Sequence, residues 1–351
     1  MESAWRVAVI LVNHKKYAQT HLPECYRSLC AQTFPRERMA LFIADNESTD
    51  QTHGELARIA PEARILPSTE NLGWAGGNNA ALRAALAEGF DYFVLLNMDT
   101  RVEPDWLAQL VRTAQERTDL QILQSKILIH GTDRVNSLGN RIQFLGYGYC
   151  NGYGQPDSDP RRYPVDFASG AAMGVRREVF EKIGLFQENY FMYCEDTEFC
   201  WRARLAGFRV GLAERSICHH KYNLQHVVNA IDYVERNRLL TLLTLEKVGT
   251  ILLTLPALIP LQIGSILYFT LQGRGRAMGR TIRYFLNWRT WVGIACRRRQ
   301  IRALRVVNDG PIVKGFAGGI VFAEYHSTTF RFLINPLLRV YWALAKRLIL
   351  W

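Results

Sequence analysis

The sequence lacks the features that mark several large classes of protein. Its seven cysteines include no CxxC pair and no zinc-ligand spacing, and their odd number argues against a closed disulfide framework. We therefore expect reduced thiols, as in a cytosolic protein. There is neither a Walker loop nor a GxGxxG fingerprint, which disfavours ATPase and NAD-dependent functions. The chain opens with Glu2 and reaches its first predicted strand by Val7, and so we expect no signal peptide.

Acidic residues are missing from one long segment. None occurs between Glu246 and Asp309, whereas ten arginines lie between Arg274 and Arg305. Much of the formal net charge of +11 therefore belongs to this segment, which predicts a local anionic partner. The segment also contains 25 consecutive uncharged residues, 248–272, a length sufficient to cross a bilayer.

Two prolines interrupt this apolar run. Pro256 and Pro260 favour a bent or re-entrant segment over a straight span. A single crossing would place the arginines outside, against the positive-inside tendency. We therefore predict a hairpin or an in-plane attachment that keeps the catalytic domain and the arginines at the cytoplasmic face of the cell membrane.

Aromatic residues support an anionic membrane surface as the partner. Tyr284, Phe285, Trp288 and Trp291 are interleaved with the arginines, a pattern typical of an interfacial segment, and residues 331–351 repeat it. The alternative is a soluble pair of apolar helices that forms the interface of a homo-oligomer. Nucleic-acid binding is disfavoured, because the basic stretch adjoins the apolar run.

The first two thirds of the chain contain short apolar runs that alternate with helical patterns. Apolar residues make up 48% of the sequence, which is ample for a core. This alternation predicts an α/β fold, a mostly parallel sheet with helices on both faces. Residues 130–164 predict a loop or an irregular hairpin. The predicted strands are 7–12, 39–44, 64–66, 92–96 and one near Val210; the predicted helices are 17–32, one that follows Asn79 and ends at Glu88, 105–117, 177–183, 197–206 and 232–246; and a turn is predicted at 217–222.

The run from Tyr92 to Leu96 reads as a strand buried on both faces, and polar residues follow it at once. Asn97 and Asp99 are two positions apart, so in an extended chain both side chains would point the same way. Ligands of open α/β sheets bind outside the carboxyl ends of the strands. The pair therefore suits a hard divalent cation, although a simple strand-to-turn exit would use the same residues.

Two further segments suit a nucleotide. Asp45 follows another predicted strand, where a lone carboxylate can accept a hydrogen bond from the imide N–H of a uracil or thymine ring; a turn-forming aspartate is the alternative. The glycine- and asparagine-rich stretch from Asn71 to Asn79 precedes a predicted helix. Exposed backbone N–H groups and the positive end of the helix dipole would favour an anion there.

A second acidic site lies at Glu195 and Asp196. Adjacent residues do not share one helical face, so we expect one carboxylate to face the cleft while structure holds the other. A carboxylate that takes a proton from a sugar hydroxyl is a general base; an acidic helix start is the alternative. His219 and His220 lie about two dozen residues later, and either could complete the ligand set of a cation.

Several blocks, in order over roughly residues 6–245, resemble family 2 glycosyltransferases and their rhamnosyltransferase-like branch. They are Val12-Asn13, residues 44–50 (ADNESTD), 70–79 (ENLGWAGGNN), 95–100 (LLNMDT), 167–178 (FASGAAMGVRRE), 191–210 (FMYCEDTEFCWRARLAGFRV) and 220–222 (HKY). The resemblance implies a GT-A fold, a nucleotide-diphosphate-sugar donor, a divalent cation (Mg²⁺ or Mn²⁺) and inversion at the anomeric carbon.

By position, the resemblance implies a role for each matching residue. Asp196 would be the catalytic base with Glu195 beside it, and His220 would be a late metal or phosphate contact. Asn97 replaces the first carboxylate of the DxD-type element that Asp99 completes at the metal and diphosphate. Residues implied in donor binding are Val12, Asn13, Asp45 (at the base), Asn71, Gly73, Asn78, Asn97 and Asp99.

The resemblance also sets the domain and function predictions. We expect a GT-A domain over residues 1–235 and a helical membrane-associated region over 236–351. The predicted activity is transfer of L-rhamnose from dTDP-rhamnose to a polyprenyl-linked or growing cell-surface glycan; a UDP-hexose or UDP-galactofuranose donor is the first alternative. A sugar nucleotidyltransferase is disfavoured because no early GxGTR-like loop is present, and a non-catalytic scaffold because Asp45, Asp99 and Asp196 are all retained.

Overall fold

The computed structural model describes residues 5–158, 161–321, 328 and 330–351. Its contacts divide the chain into two compact units. The first contains residues up to Asn140, 150–200 and 208–222, and the second contains 141–149, 201–207 and 223–351. The chain passes from the first unit to the second for the last time after Tyr222. The predicted domain boundary at 235 stays a prediction.

Strands and helices alternate through the first 220 residues, which confirms the predicted α/β class. The strands are β1 (Val7–His14), β2 (Met39–Asn46), β3 (Arg64–Pro67), β4 (Tyr92–Leu96), β5 (Thr100–Val102), β6 (Ile122–Ile129), β7 (Val135–Ser137), β8 (Asn140–Ile142), β9 (Gly148–Cys150), β10 (Ala172–Arg176) and β11 (Val210–His220). The helices are α1 (Tyr17–Thr20), α2 (Leu22–Cys30), α3 (Asp50–Ile59), α4 (Gly73–Ala87), α5 (Trp106–Glu116), α6 (Arg177–Ile183), α7 (Glu195–Leu205), α8 (Leu224–Asn229), α9 (Ile231–Leu245), α10 (Val248–Phe269), α11 (Gly275–Leu286), α12 (Trp288–Leu304), α13 (Asp309–Val313) and α14 (Asn335–Ala345).

Within the described residues, nine strands form one sheet in the order β3-β2-β1-β4-β10-β6-β11-β5, with β7 on β6. Strand β1 is parallel to β2 and β4, and β6 is parallel to β11, while β10 runs antiparallel between β4 and β6. The carboxyl ends of β1, β2, β4, β6 and β11 therefore meet at one edge, which we call the carboxyl edge. As predicted, Asp45 and Asn97 both lie at this edge.

Helices cover both faces of the sheet, as the alternation predicts. Val7, Val9 and Leu11 of β1 belong to a core that includes residues of α2, α3 and α5. Val12 points to the other face, where α4 packs: a Cβ added to Gly77 would lie 2.8 Å from Val12 Cγ1. Glycine at this position therefore allows helix and strand to approach closely.

Three predicted elements differ from the structure in type or continuity. The helix expected over 17–32 is two helices that break at His21, because Pro23 lacks the N–H that a continuous helix needs. The turn expected at 217–222 is strand as far as His220, because these residues pair with β5 and β6 beyond a bulge after Ala213. The irregular stretch 130–164 contains β7, β8 and β9, with residues 159–160 outside the described part of the chain.

Helix α4 also begins earlier than predicted. It starts at Gly73, so most of the glycine-rich stretch lies inside the helix rather than ahead of it. Gly73 has φ +66°, and a Cβ there would lie 2.4 Å from the carbonyl oxygen of Phe191. The glycines thus provide backbone freedom at the helix start and close packing along the helix.

The second unit is helical. Helix α9 packs on α11 through Ile231, Ala277 and Met278. Pro256 and Pro260, which in the sequence favour a bent or re-entrant segment, both lie inside α10, and the helix continues beyond them to Phe269. The backbone departs from helical geometry at Gly273, where φ is +78°. Within the described residues, one helical stretch, 248–286, is long and apolar enough to cross a membrane.

Candidate functional site

The carboxyl edge brings Asp99 and His220 together. Asp99 follows β4 in the turn before β5, and His220 ends β11, where it pairs with Thr100. His220 Nε2 lies 3.4 Å from Asp99 Oδ1, and Nδ1 of the same ring lies 3.2 Å from Asn136 Oδ1. Burial alone would raise the pKa of Asp99, but the hydrogen bond and charge of His220, together with His21, outweigh it and hold that pKa below its ordinary value.

Asn97 is oriented by an aromatic side chain. The chain turns after Leu96, so Asn97 and Asp99 do not belong to one extended strand as the sequence suggested; Met98 between them is buried. Asn97 Oδ1 accepts a hydrogen bond of 3.0 Å from Trp74 Nε1. The amide oxygen that would replace a DxD carboxylate is thus held by α4.

The donor set at Asp99 and His220 fits a divalent cation of the kind predicted. One carboxylate oxygen and one imidazole nitrogen face each other, and the contact between Nδ1 and Asn136 orients the ring as a typical ligand histidine is oriented. In the described part of the chain, no three His, Cys, Asp or Glu side chains gather as a closed metal site. This arrangement suits Mg²⁺ or Mn²⁺, which keep waters and share phosphate oxygens.

Asp196 lies in the first turn of α7 and is held by two neighbours. Its Oδ2 accepts from the Gly170 N–H at 3.2 Å, and its Oδ1 accepts from the Thr197 N–H at 2.7 Å. Asp196 as a whole residue is half-buried, whereas Glu195 before it is buried. Burial raises the pKa of Asp196 above its ordinary value, although these hydrogen bonds oppose the shift. A raised pKa makes the ionised carboxylate a stronger base.

Glu195 differs from its neighbour. It is 6% exposed, and its Oε2 has no hydrogen-bond partner among the described residues. Burial, and then the charge of Asp196, raise the pKa of Glu195 well above its ordinary value. Of the two adjacent carboxylates, Asp196 is therefore the more accessible and Glu195 the more enclosed, which agrees with the expected division between cleft and structure.

The backbone before α7 is strained. Phe191, Tyr193 and Cys194 all have φ between +64° and +65°, a region that residues other than glycine rarely adopt. Strain of this kind persists only where surrounding contacts enforce it, and it gathers at functional sites. Burial, and then the charges of Glu195, Tyr17 and Asp99, raise the pKa of Tyr193 to about 12. Tyr193 therefore lies close enough to Glu195 and to Asp99 for their charges to affect its pKa.

Asp45 is not a free carboxylate. It is 0% exposed, and its oxygens accept from Asn13 Nδ2 at 2.6 Å, Ser48 Oγ at 2.6 Å and Thr52 Oγ1 at 2.9 Å. Asn13 is also fully buried, and its Oδ1 accepts from the Ala18 N–H. The two side chains thus join β1 to β2 and to the following helices. Contact between Asp45 and a nucleotide base would require these segments to move.

A cavity of about 510 Å³ lies beside the same strand. Asn46 lines it, and the Asn46 amide also donates to the Gly73 carbonyl at 3.0 Å, which ties the cavity wall to the start of α4. Asp45 does not line this cavity, because successive side chains of a strand point to opposite faces. The lining residues are Ala44, Asn46, Leu66, Pro67, Ser68, Thr69, Leu72 and Ala80.

The remaining predicted donor residues fall into two groups. Asn71 lies at the edge, where its Nδ2 is 3.0 Å from His14 Nε2 and its Oδ1 accepts from the Gly73 N–H. Asn78 and Val12 are placed for packing instead. Asn78 is 2% exposed and donates to the Trp74 carbonyl within α4, and Val12 lies against Gly77.

Two residues of the site received no role from the sequence, although both lie in blocks that mark the resemblance. They are Trp74 and Gly170. A Cβ on Gly170 would lie 2.4 Å from Trp74 Cζ2, so the indole ring lies directly against this glycine. A bulky aromatic residue inside a glycine-rich stretch was the available signal, but its partners lie far away in the sequence.

The family follows from a direct match. A model of glycosyl transferase family 2 matches residues 8–184, half of the chain, and this range includes Asp45, Trp74, Asn97, Asp99 and Gly170. The chain belongs to glycosyl transferase family 2. Asp196 and His220 lie beyond the matched range, and the roles that the resemblance implies for them stay predictions.

Curated relatives agree with this family. The chain is 26% identical over 208 residues to the low-salt glycan biosynthesis hexosyltransferase Agl10 of Haloferax volcanii, a match that covers 58% of this chain and 64% of that protein. It is 28% identical over 223 residues to the N-acetylglucosaminyl-diphospho-decaprenol L-rhamnosyltransferase of Mycobacterium tuberculosis, which covers 57% of this chain and 72% of that one. The match to Agl10 thus spans less than two thirds of its length.

A solved structure supports the fold. GalNAc-T7, crystallised with UDP, GalNAc and Mn²⁺, superposes with a TM-score of 0.54 at 15% identity, covering 70% of this chain and 48% of that one. Similarity at this level of identity concerns the fold alone. It confirms the predicted GT-A architecture of this family 2 chain.

Proposed function

We propose that this family 2 glycosyltransferase inverts the anomeric carbon as it transfers L-rhamnose from dTDP-rhamnose to a lipid-linked or growing cell-surface glycan. The reaction would take place at the cytoplasmic face of the membrane with Mg²⁺ or Mn²⁺. The observation that carries this proposal is the convergence of Asp99, His220 and Asp196 on the carboxyl edge, where α/β sheets bind their ligands. The name of the mycobacterial relative supports rhamnose and a polyprenyl-linked acceptor.

Asp99 and His220 would hold the cation, with the Asn97 amide beside them. A bound cation would supply stabilisation of the negative charge that develops on the diphosphate leaving group. Asn97 cannot turn freely, because its amide oxygen accepts from Trp74. The protein thus fixes the polar groups that face the donor before the donor arrives, so little reorganisation is required during reaction.

Asp196 would act as the general base. As the bond between the anomeric carbon and the diphosphate oxygen breaks, the acceptor oxygen forms its bond from the opposite face and Asp196 takes its proton. The Gly170 and Thr197 N–H groups fix the orientation of the carboxylate. Inversion follows from a single displacement, and a base of this kind contributes about 10²–10⁴-fold to the rate.

A panel of labelled nucleotide sugars tests the proposal. Purified full-length protein with lipid extract and Mn²⁺ should label the lipid fraction from dTDP-rhamnose, and the product should have the inverted anomeric configuration by NMR. If only a UDP-hexose or UDP-galactofuranose labels the lipid fraction, the proposed donor is wrong but the proposed reaction class stands. Formation of a nucleotide sugar from a sugar phosphate would indicate a nucleotidyltransferase, and no turnover of any donor would overturn the proposal.

A further inference from the structure

Helix α10 has a continuous apolar stripe on its exposed side. Val248, Leu252, Ile259, Ile263 and Leu267 recur every four or seven residues, so they lie on one face of the helix. Each of them is between 52% and 60% exposed. Isolated apolar residues on a surface are ordinary, but a stripe that runs the length of a 22-residue helix marks an interaction surface. We call these five residues the α10 stripe.

The opposite side of α10 is tied to buried polar groups of its own unit. Near the start of the helix, Thr250 Oγ1 donates to Asp309 Oδ2 at 2.6 Å, and Asp309 is 0% exposed. Further along, Gln262 Nε2 donates to Glu235 Oε2 at 3.1 Å, and its Oε1 accepts from Arg238. Glu235 and Arg238 form an ion pair on α9 in which both residues are 1% exposed.

These contacts oppose a transmembrane position for α10. A helix that crossed a bilayer would either leave Glu235, Arg238 and Asp309 without their partners or draw these charges into hydrocarbon. Either outcome is costly, because buried polar groups and charges need hydrogen-bond partners. Helix α10 therefore has one face for its own unit and one face for something apolar outside it.

The two prolines point to the depth at which α10 lies. Pro256 and Pro260 are both exposed on the same side of the helix as the stripe. Neither has an N–H with which to close the helical bond to the carbonyl four residues earlier, at Leu252 and Pro256 respectively. Hydrocarbon offers no donor to such carbonyls, whereas water reaches the headgroup region. The exposed side thus suits the boundary between headgroups and acyl chains.

A second stripe lies on α14, which packs beside α10. Leu337, Val340 and Leu344, with Leu348 beyond the helix end, are between 59% and 64% exposed. Tyr341 of α14 donates from its hydroxyl to the Leu253 carbonyl of α10. Two adjacent helices of this unit therefore expose apolar stripes, as a lipid-binding surface requires.

The charge of the unit favours an anionic partner. No acidic residue occurs between Glu246 and Asp309, and ten arginines lie between Arg274 and Arg305. Trp288 and Trp291, which are 67% and 50% exposed, belong to the same segment. Tryptophan favours the membrane–water interface, and arginine is attracted to anionic headgroups.

We propose that α10 and α14 lie in the plane of an anionic lipid leaflet, with their stripes at the boundary of headgroups and acyl chains, and that α10 does not cross the bilayer. The inference deepens the membrane attachment of the proposed function and rests on it. The partner is a lipid surface; a second copy of this chain is the outcome that would contradict it.

The first experiment measures binding of the full-length protein to vesicles that contain phosphatidylglycerol and phosphatidylcholine. Ile263→Glu, in the α10 stripe, should lower the vesicle partition coefficient by about tenfold or more, because it places a charge among acyl chains. Thr118→Glu adds the same charge at an exposed position of the first unit and should leave binding unchanged. Equal binding of both variants to vesicles, with Ile263→Glu dissociating an oligomer, would establish a protein interface and overturn the proposal.

The second experiment decides between lying in the plane and crossing. Cysteine is introduced at Thr118 or at Gln272, just beyond α10, in a Cys296→Ser background that removes the exposed native thiol. A membrane-impermeant maleimide is then added to sealed inside-out vesicles of cells that express each variant. Labelling of both positions above background from the same side supports the proposal, and labelling of Gln272→Cys only after the vesicles are opened overturns it.

Neither vesicle binding nor maleimide labelling depends on catalysis. Their failure can therefore be told apart from failure of the proposed function, which the donor panel tests. Donor hydrolysis by Ile263→Glu should equal that of the unmodified protein, since none of the residues proposed for catalysis or donor binding lies in α10. A variant that has lost both vesicle binding and donor hydrolysis has an unfolded second unit; in that case the milder Ile263→Asn replaces it, and its retention of full vesicle binding would overturn the proposal.

Discussion

Trp74 connects the two halves of the candidate site. Its indole N–H donates to Asn97 Oδ1 at 3.0 Å, and its ring lies against Gly170, whose own N–H donates to Asp196 Oδ2 at 3.2 Å. One side chain of α4 thus contacts the residue beside the candidate cation ligands and the glycine that orients the candidate base. Productive geometry in an active site depends on such supporting contacts, since small displacements of reacting groups slow the reaction.

The first prediction is for Trp74→Phe, which keeps a ring on Gly170 but removes the hydrogen bond to Asn97. We expect kcat/KM for the donor to fall by about fivefold to tenfold, the value of one hydrogen bond. Trp106→Phe is the matched control: it removes a buried bond of 2.8 Å to Ser125 Oγ, away from the site. It should lower the free energy of unfolding while kcat/KM stays unchanged. Equal losses of kcat/KM in both variants would show that Trp74 contributes to folding and not to the geometry of the site.

The second prediction is for Gly170→Ala. The new methyl carbon would lie 2.4 Å from Trp74 Cζ2, so the indole or the segment before β10 must move. Because the Gly170 N–H holds Asp196, we expect turnover to fall by about a hundredfold, together with a loss of stability of about 1–3 kcal/mol. Gly54→Ala is the control: no atom lies within 4 Å of its added methyl, and the change should stabilise α3 by about 1 kcal/mol. Wild-type turnover in Gly170→Ala would show that this glycine does not contribute to catalysis.

The part of the fold that the sequence predicted well depends on local pattern. The strands at Val7, Met39, Arg64 and Tyr92 begin at the predicted residues, because short apolar runs between turn residues have few other structures open to them. Their parallel pairing then places Asp45 and Asn97 at one edge, as the alternation of strands and helices requires.

The features that the sequence did not reveal depend on contacts between distant residues. Of the three side chains that donate to Asp45, Asn13 lies 32 positions earlier, so its contact with this carboxylate cannot be read from the local sequence. The end of β11 looked like a turn because its pairing partners lie on β5 and β6. Trp74 received no role because Asn97 and Gly170 reach it only in the folded chain. Helix periodicity and propensity contain no information about such partners.

The third prediction concerns the cation. Asp99→Asn removes the only carboxylate of the Asn97 and Asp99 pair, so it should abolish transfer and weaken donor binding. Titration of the full-length protein with Mn²⁺, followed by electron paramagnetic resonance of the free ion, should show a loss of bound Mn²⁺ in the variant. Full transfer activity of Asp99→Asn in the presence of a chelator would show that the reaction does not use a metal ion.

The fourth prediction concerns the base. Asp196→Asn keeps the shape of the side chain but does not accept a proton, and its NH2 group replaces one of the two oxygens that accept from the Gly170 and Thr197 N–H groups. Turnover should fall by about 10²–10⁴-fold, while donor affinity, measured by calorimetry, stays near that of the unmodified protein. Collapse of donor affinity would instead make Asp196 a ligand or a structural residue. Comparison with Asp99→Asn thus separates the donor side of the site from the acceptor side.

The last prediction uses two buried glutamates of the second unit that differ in their partners. Glu235 is 1% exposed and is paired with Arg238 at 2.8 Å. Glu246 is 2% exposed, and its Oε2 has no hydrogen-bond partner in the described residues. Burial, and then the nearby charge of Asp309, raise the pKa of Glu246 well above its ordinary value, and Arg298 and Arg305 only partly oppose this shift.

The sign of the effect of Glu246 on stability follows from linkage. A raised pKa means that the folded chain binds a proton more tightly than the unfolded chain, so stability falls as pH rises through the folded pKa. Glu246→Gln removes the free-energy cost of ionising this buried carboxyl group. We expect a gain of about 1 kcal/mol or more in the free energy of unfolding at pH 8, which shrinks as pH falls toward the pKa of an unfolded glutamate. Glu235→Gln should instead destabilise the protein by about 3–5 kcal/mol, because Arg238 loses its charged partner. Urea unfolding of the full-length chain from pH 5 to pH 8 measures both; a Glu246→Gln variant that is less stable than the unmodified protein at pH 8 would show that ionised Glu246 stabilises the fold.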